Sequence, residues 1–339
     1  MKASVNKEQV IQYVLNLIFN KDKSLISKTT EAFGVSKSSV YNYLNELIAD
    51  GVIVKSDDFP YELVSKNYTF NYSNNGSLLE DTIFERDIRP LLKGYEKNII
   101  SAWRYSFTEM MNNAIEHSSA SEISVKVSTN SLSTSIIIAD NGMGIFKNIQ
   151  DYMLKEKNQD LMLEDCATLL FAGKFTTAKS MHSGEGIFFT SHLMDEFFIV
   201  SDNITFTRKN LNKDKIEANL DTQGTFVYMS LFNHSKKTTK EVFDRFSNIE
   251  DGFIKTQIPI AHFFLSGNPV SRSEARRLGE LILSFKEIDL NFLDVDEVGQ
   301  AFCHELFILW QERNPQIKLN IINASDNVMF MIKRVMNTK

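Results

Sequence analysis

Apolar positions in the first fifty residues recur at helical spacing. Val10, Ile11, Val14, Leu15 and Ile18 fall on one face. A second short helical run begins near Ile26 and stops at Gly34, and a third carries Val40, Leu44, Leu47 and Ile48. Gly34 suits a tight turn because it tolerates positive φ. Ser36 suits the start of the third helix, where its side chain accepts a backbone N–H. After Asp50-Gly51 the pattern turns extended, in VIVK, YELV and KNYTFNYS.

The next stretch alternates helices and strands. A helix of about 97–118 precedes strands near 122–129 and 133–140. In the first of these strands Ile123, Val125 and Val127 alternate with polar residues, as a half-buried strand should. A glycine turn, a helical region, a loop around Gly173, a helix opening at Gly184–Gly186 and short strands to about 231 follow. From about 236 the chain reads as a small α/β unit. It has a helix over Glu274–Phe285, a strand at Ile288, Leu290 and Phe292, a helix over Gln300–Glu312, a strand at Leu319–Ile322 and a last helix over Val328–Met336. Ser271 and Ser273 precede a helix and are expected to cap it.

Composition narrows the class. The 339 residues are 43% hydrophobic and 24% charged, which is globular and enough for two or three domains. No apolar run has membrane-spanning length and the N-terminus lacks the apolar core of a secretory signal, so no membrane partner and a cytoplasmic location are expected. Cys166 and Cys303 are too few for a disulfide scaffold or a cysteine zinc site, and are expected to be buried thiols. A net charge of -6 means that any nucleic-acid contact rests on a local patch.

The first segment offers such a patch. The exposed face of its third helix carries Lys37, Ser38, Ser39, Tyr41, Asn42 and Asn45, side chains that reach phosphates and base edges in a major groove. The extended pieces after Gly51 supply a wing in which Lys55 and Lys66 meet the backbone. The same pattern also fits a helical hairpin used for dimerisation or packing. The segment resembles the winged helix-turn-helix domains of bacterial regulators. That resemblance implies DNA binding through residues 20–70, and the weak local charge favours a homodimer.

Three motifs in the middle segment carry chemistry. Glu109, Asn113 and His117 recur every four residues and share one helix face. An amide oxygen is a hard ligand suited to Mg²⁺, and a carboxylate one turn away is placed to act as a general base. Asp140-Asn-Gly142-Met-Gly144 ends a strand, where a carboxylate accepts a hydrogen bond from an adenine amino group and glycines let backbone approach the base. Ser183-Gly184-Glu-Gly186 opens a helix whose free N–H groups suit phosphate. The loop before it brings Lys174, Thr176 and Thr177, as a cover over the phosphates or as a solvated loop. No GxxxxGK[ST] sequence occurs.

In their order, the three motifs resemble the N, G1 and G2 boxes of the GHKL ATPase family. SGEGIFFTSHLMDEF is most similar to the anti-sigma-factor serine kinases within it. The resemblance implies ATP and Mg²⁺ as cofactors, with Asn113 as the metal ligand, Asp140 on adenine, and Gly142, Gly144, Gly184 and Gly186 shaping the pocket. Glu109 takes the position of the catalytic base, and His117 sits near the nucleotide or packs. No histidine lies between residues 80 and 110, which argues against a sensor histidine autokinase.

The last segment, with IDLNFLD leading into VGQAFCHELF, resembles a STAS-like domain. In anti-sigma-factor antagonists a serine opens the helix after this strand. Here the stretch reads Glu297-Val-Gly299-Gln300-Ala, without Ser or Thr, which puts kinase–antagonist switching in doubt. Gln300, His304 and Glu305 form either a polar contact surface for a protein partner or the solvent face of an amphipathic helix.

The expected architecture is multidomain α+β. It comprises a winged helix-turn-helix at 1–75, a GHKL α/β sandwich (Bergerat fold) at 80–235 and a STAS-like α/β domain at 236–339. The expected function is regulation of DNA binding by Mg-ATP, with slow hydrolysis compatible; the alternative is a protein serine/threonine kinase in a partner-switching circuit.

Overall fold

The computed structural model describes residues 6–174, 185–208, 223–248, 250–264 and 267–337. Three helices open it: α1 (Lys7–Phe19), α2 (Leu25–Phe33) and α3 (Lys37–Ala49). Gly34 ends α2 at φ 63°, and the Ser36 side chain caps α3 by accepting from the Ser39 N–H at 3.1 Å. Val10, Val14, Leu15, Leu25, Val40, Leu44 and Leu47 close a small core. A two-stranded hairpin of β1 (Ile53–Val54) and β2 (Glu62–Leu63) adds Ile53 to it.

The third extended piece belongs elsewhere. β3 (Lys66–Ser73) pairs antiparallel with β4 (Glu122–Thr129) along its whole length. The first unit therefore ends near residue 65 rather than 75, and Lys66 is a sheet residue, not a wing residue. A period of two marks a strand but does not name its partner. Tyr68, Phe70 and Tyr72 find theirs in the larger core.

That core lies under a six-stranded antiparallel sheet of order β3-β4-β5-β8-β6-β7, with β5 (Ser133–Asp140), β6 (Glu196–Ser201), β7 (Ile204–Thr207) and β8 (Thr225–Phe232). Alternate residues of its strands meet helices preceded by a short α4 (Glu80–Ile83): α5 (Lys97–Asn112), α6 (Ile145–Lys157), α7 (Leu163–Leu169) and α8 (Gly186–Leu193). Trp103, Phe107, Phe146 and Phe189 are buried on the helix side. The N-terminal unit is seated on one end of this sheet. Leu132, in the β4–β5 turn, lies in its core, and Phe232, the last residue of β8, packs edge-on against Phe19 at 5.8 Å.

After the sheet, α9 (Thr239–Phe246) opens with a capping box of Thr238 and Glu241 and packs back on α5 and α8. Phe243 stacks on Phe189, with centroids 4.0 Å apart and planes 2° off parallel. A three-stranded parallel sheet of β11 (Lys255–Pro259), β12 (Glu287–Asn291) and β13 (Lys318–Ile322) follows the short pair β9 (Ser247–Asn248) and β10 (Gly252–Phe253). The sequence pattern had missed β11, whose KTQIP is short and ends on proline. Ser271 caps the helix Arg272–Ile282 with a full capping box, as expected.

Glu305 is a correction. It is 1% exposed and accepts from Arg276 at 2.9 Å and Arg313 at 3.2 Å, rather than facing solvent. The helix Gln300–His304 passes there into a π-helical stretch, Glu305–Trp310, which resets the register of its faces.

The middle and C-terminal units share one continuous core. Phe188 lies against Phe246 at 4.9 Å and Phe253 at 4.6 Å. Arg208 lies over the Phe188 ring and donates to the carbonyls of Phe171 and of Gln257 in β11. Both cysteines are free and buried; burial pushes Cys166 up to about 11 and Cys303 up to about 12, so both remain thiols at neutral pH. Among the described residues, no helix is long and apolar enough to cross a membrane.

Candidate functional site

The buried faces of three adjacent strands all run out in a polar residue at the same end of the sheet. Ile136 and Ile138 on β5 are followed two residues on by Asp140. Val227 on β8 is preceded by Thr225, and Phe197 and Ile199 on β6 lead to Ser201. Ala139 opposes Phe226, which sets Asp140 beside Thr225, and Ser201 opposes Thr225. A core position filled by a polar side chain is informative because burying it costs free energy unless a partner is supplied.

Asp140 is 8% exposed. Its Oδ1 accepts from the Gly142 N–H at 2.9 Å and the Thr225 N–H at 3.4 Å. Burial pushes its carboxyl up to about 6, and the two backbone N–H groups pull the other way. With both bonds on Oδ1, Oδ2 is the remaining acceptor edge.

Helix α5 delivers the second group. Past Asn112 it widens into a π-helical turn, Asn113–His117, a distortion that occurs frequently at functional sites. Glu109 lies one turn earlier. Its carboxylate lies against the start of α8: a Cβ on Gly186 would stand 2.1 Å from Glu109 Oε2, so a larger residue there would force the Glu109 side chain to move. The glycine loop after Asp140 is held equally closely. Met143 N–H donates to the Ser118 carbonyl at 2.9 Å, and a Cβ on Gly142 would stand 2.1 Å from the same oxygen. Gly144 takes φ 87° against Ser201 and Asp202. His117 contributes its backbone carbonyl to Asn148 Nδ2 at 2.7 Å.

Glu109 with Gly186, and Asp140 with Gly142 and Gly144, thus form two close-packed groups, and the turn that follows Asn113–His117 meets the second of them through the Ser118 carbonyl. Burial and the carboxylates of Glu109 and Glu185 raise the Tyr105 phenol, so negative charge gathers at the start of α8. Lys174 departs from its expected place over the phosphates. Its ammonium lies 4.6 Å from the Phe285 ring centroid and donates to the Ser284 carbonyl at 3.2 Å, on the C-terminal unit. The apolar rings and the carbonyl offer a half-buried ammonium a seat that sequence position alone does not reveal. Thr176, Thr177 and Gly184 lie outside the described residues.

Sequence reasoning missed Gly224–Thr225 and Ser201. The signal was present in the parity of the strands, where the next core-facing position is polar. On α3, Lys37, Ser38, Tyr41 and Asn42 are exposed together, whereas the Ser39 hydroxyl is engaged by Ser36 at 2.9 Å.

Residues 101–233 match the family of histidine kinase-, DNA gyrase B- and HSP90-like ATPases. Residues 274–329 match a STAS-like domain of unknown function, DUF4325. No curated protein matches the chain. The polar row and the close-packed glycines therefore lie in a GHKL ATPase domain, and strands β12 and β13 of the parallel sheet lie in a C-terminal STAS-like domain.

Proposed function

We propose that this protein is an ATP-binding regulator in which Mg-ATP, bound at the Asp140 end of the large sheet, controls DNA binding by the N-terminal three-helix unit. The observation that carries the reading is that β5 and β8 connect the two. Asp140 and Thr225 stand at one end of this strand pair, and Leu132 and Phe232 enter the core of the N-terminal unit at the other. Eight-residue strands cover about 25 Å at the usual rise.

At the site, Asp140 Oδ2 accepts the adenine amino group and Gly142 lets the base approach the backbone. The α8 N-terminus at Gly186 receives phosphate oxygens through its free N–H groups. Glu109 and Glu185 beside it require a cation before a polyphosphate is tolerated. Mg²⁺ would be held by the Asn113 amide oxygen, a hard ligand, together with the phosphates and water. When bound it neutralises phosphate charge. Glu109 is placed to orient or deprotonate an attacking nucleophile, which gives slow hydrolysis to reset the switch.

On the N-terminal unit, Lys37, Ser38, Tyr41 and Asn42 face a DNA major groove, with the β1–β2 hairpin as wing and Lys55 on the backbone. A homodimer doubles a modest single-copy affinity. The test is calorimetric titration with Mg-ATP analogue, followed by selection of bound fragments from a random DNA library with and without nucleotide. Different DNA affinity in the two states supports the reading. Equal affinity removes the coupling.

The docked STAS-like domain favours a second reading, a serine/threonine kinase acting on a protein partner. Intact mass after incubation with Mg-ATP and candidate partners tests it, and an unchanged mass for every protein rejects it.

A further inference from the structure

We propose that Ser201 is a positioning residue that aims the Asp140 carboxylate and so sets base discrimination at the nucleotide site; this rests on the ATP-binding reading above. Ser201 sits fully buried at the end of β6, directly opposite Thr225. Its Oγ lies 2.9 Å from the Gly224 carbonyl and 3.0 Å from Asp202 Oδ2. The Gly224 carbonyl and the Thr225 N–H belong to one peptide group, which is planar, so the two point in opposite directions. The carbonyl is held by Ser201, and the N–H points to Asp140 Oδ1 at 3.4 Å. The hydroxyl has one proton for two acceptors, the Gly224 carbonyl and Asp202 Oδ2, and its share in the carbonyl bond orients the plane of this peptide and directs its N–H toward the Asp140 carboxylate.

Three further features give Ser201 this role. Gly224 has φ 91°, a conformation that an unrestrained chain leaves readily, so an external hydrogen bond has something to hold. Asp202 and Asn203, at φ 52° and 61°, make the tight β6–β7 turn that brings the hydroxyl there. The same hydroxyl touches the other wall: a Cβ on Gly144 would stand 2.7 Å from it. Ser201 thus abuts the two backbone segments that flank Asp140, the 142–144 loop and the 224–225 peptide. Without it the Thr225 N–H drifts, Oδ1 keeps one partner, and Oδ2 loses its fixed direction toward an amino group on the base.

The test compares ATP with inosine triphosphate, which carries a carbonyl where adenine has its amino group. Kd values are measured by calorimetry on the full chain for the wild type, Ser201→Ala, Ser201→Cys and Ser201→Thr, each with a thermal melt. The wild type is expected to prefer ATP. Ser201→Ala is expected to weaken ATP about tenfold, the scale of one net hydrogen bond, and to leave inosine triphosphate nearly unchanged. Ser201→Cys, which keeps the volume and weakens the donor, follows Ala and serves if Ala does not fold; Ser201→Thr restores the ratio. A folded Ala or Cys variant with the wild-type ratio, or an equal loss of both nucleotides, overturns the inference. A wild type that binds neither nucleotide defeats the ATP reading instead, and this inference with it.

Discussion

Replacing Asp140 with asparagine keeps the oxygen that the Gly142 and Thr225 N–H groups donate to and removes the charge. In the folded chain the carboxyl titrates at about 6, against an ordinary value of 3.8. That difference corresponds to about 3 kcal/mol at roughly 1.36 kcal/mol per pH unit. The sign follows from the direction. A raised pKa means that the folded state binds the extra proton between the two values. Wild-type stability from this group is therefore full below 3.8, falls as pH rises through about 6, and stays reduced above it. Asparagine does not titrate. In urea unfolding, the stability gap of Asp140→Asn over wild type should widen by up to about 3 kcal/mol between roughly pH 4 and pH 7.5. The same variant should lose ATP. Its Oδ1 must stay on the two N–H groups, so Nδ2 presents a donor where the adenine amino group needs an acceptor. Inosine triphosphate, with a carbonyl there, should gain. A gap that stays flat across this pH range, or a variant that still prefers ATP, would refute the reasoning.

Gly142→Ala should lower the melting temperature, because its methyl meets the fixed Ser118 carbonyl, at a cost on the order of 1–3 kcal/mol. Gly186→Ala meets the Glu109 side chain, whose carboxylate end can swing away, and should lose less melting temperature than Gly142→Ala while losing phosphate release from ATP; equal melting losses in the two would refute this distinction. ATP affinity of the wild type should fall as pH drops through about 6, because the protonated Asp140 no longer accepts from the base; a flat profile from pH 5 to 8 counts against its role. Asn42→Ala and Lys37→Ala on exposed α3 should reduce DNA retention in a gel-shift assay without changing the circular dichroism spectrum. Phe232→Ala should leave DNA binding in place and shrink its dependence on nucleotide, read in the same assay.

Much of this was legible in the sequence because the relevant signals are local. The strands 122–129 and 133–140 are read at their observed bounds, since alternation and the flanking glycines are encoded within a few residues. Glu109 and Asp140 are recognisable from spacing within one helix and one strand end. What escaped depends on pairing. KNYTFNYS reads as a strand, but only the sheet shows that it pairs with β4. Thr225 and Ser201 become meaningful only once β8 lies between β5 and β6, a contact between residues far apart in the chain. Lys174 was misplaced for a related reason: the rings of Phe253 and Phe285 that receive it belong to a unit that the sequence presents as separate.

The stacked Phe189–Phe243 pair and the buried Arg208 have a consequence for how this protein is handled and how it behaves in a cell. A truncation at residue 235 would strip the apolar face from α8 and expose Phe188 and Phe189 to water, so the ATPase unit is expected to aggregate when expressed alone. Heat should melt the two units in one transition rather than two. In the cell, a separate STAS-like protein would have to outcompete a domain that is covalently attached and already packed, whose effective concentration does not depend on expression level. Supply of a free partner would then be a weak control on the GHKL domain.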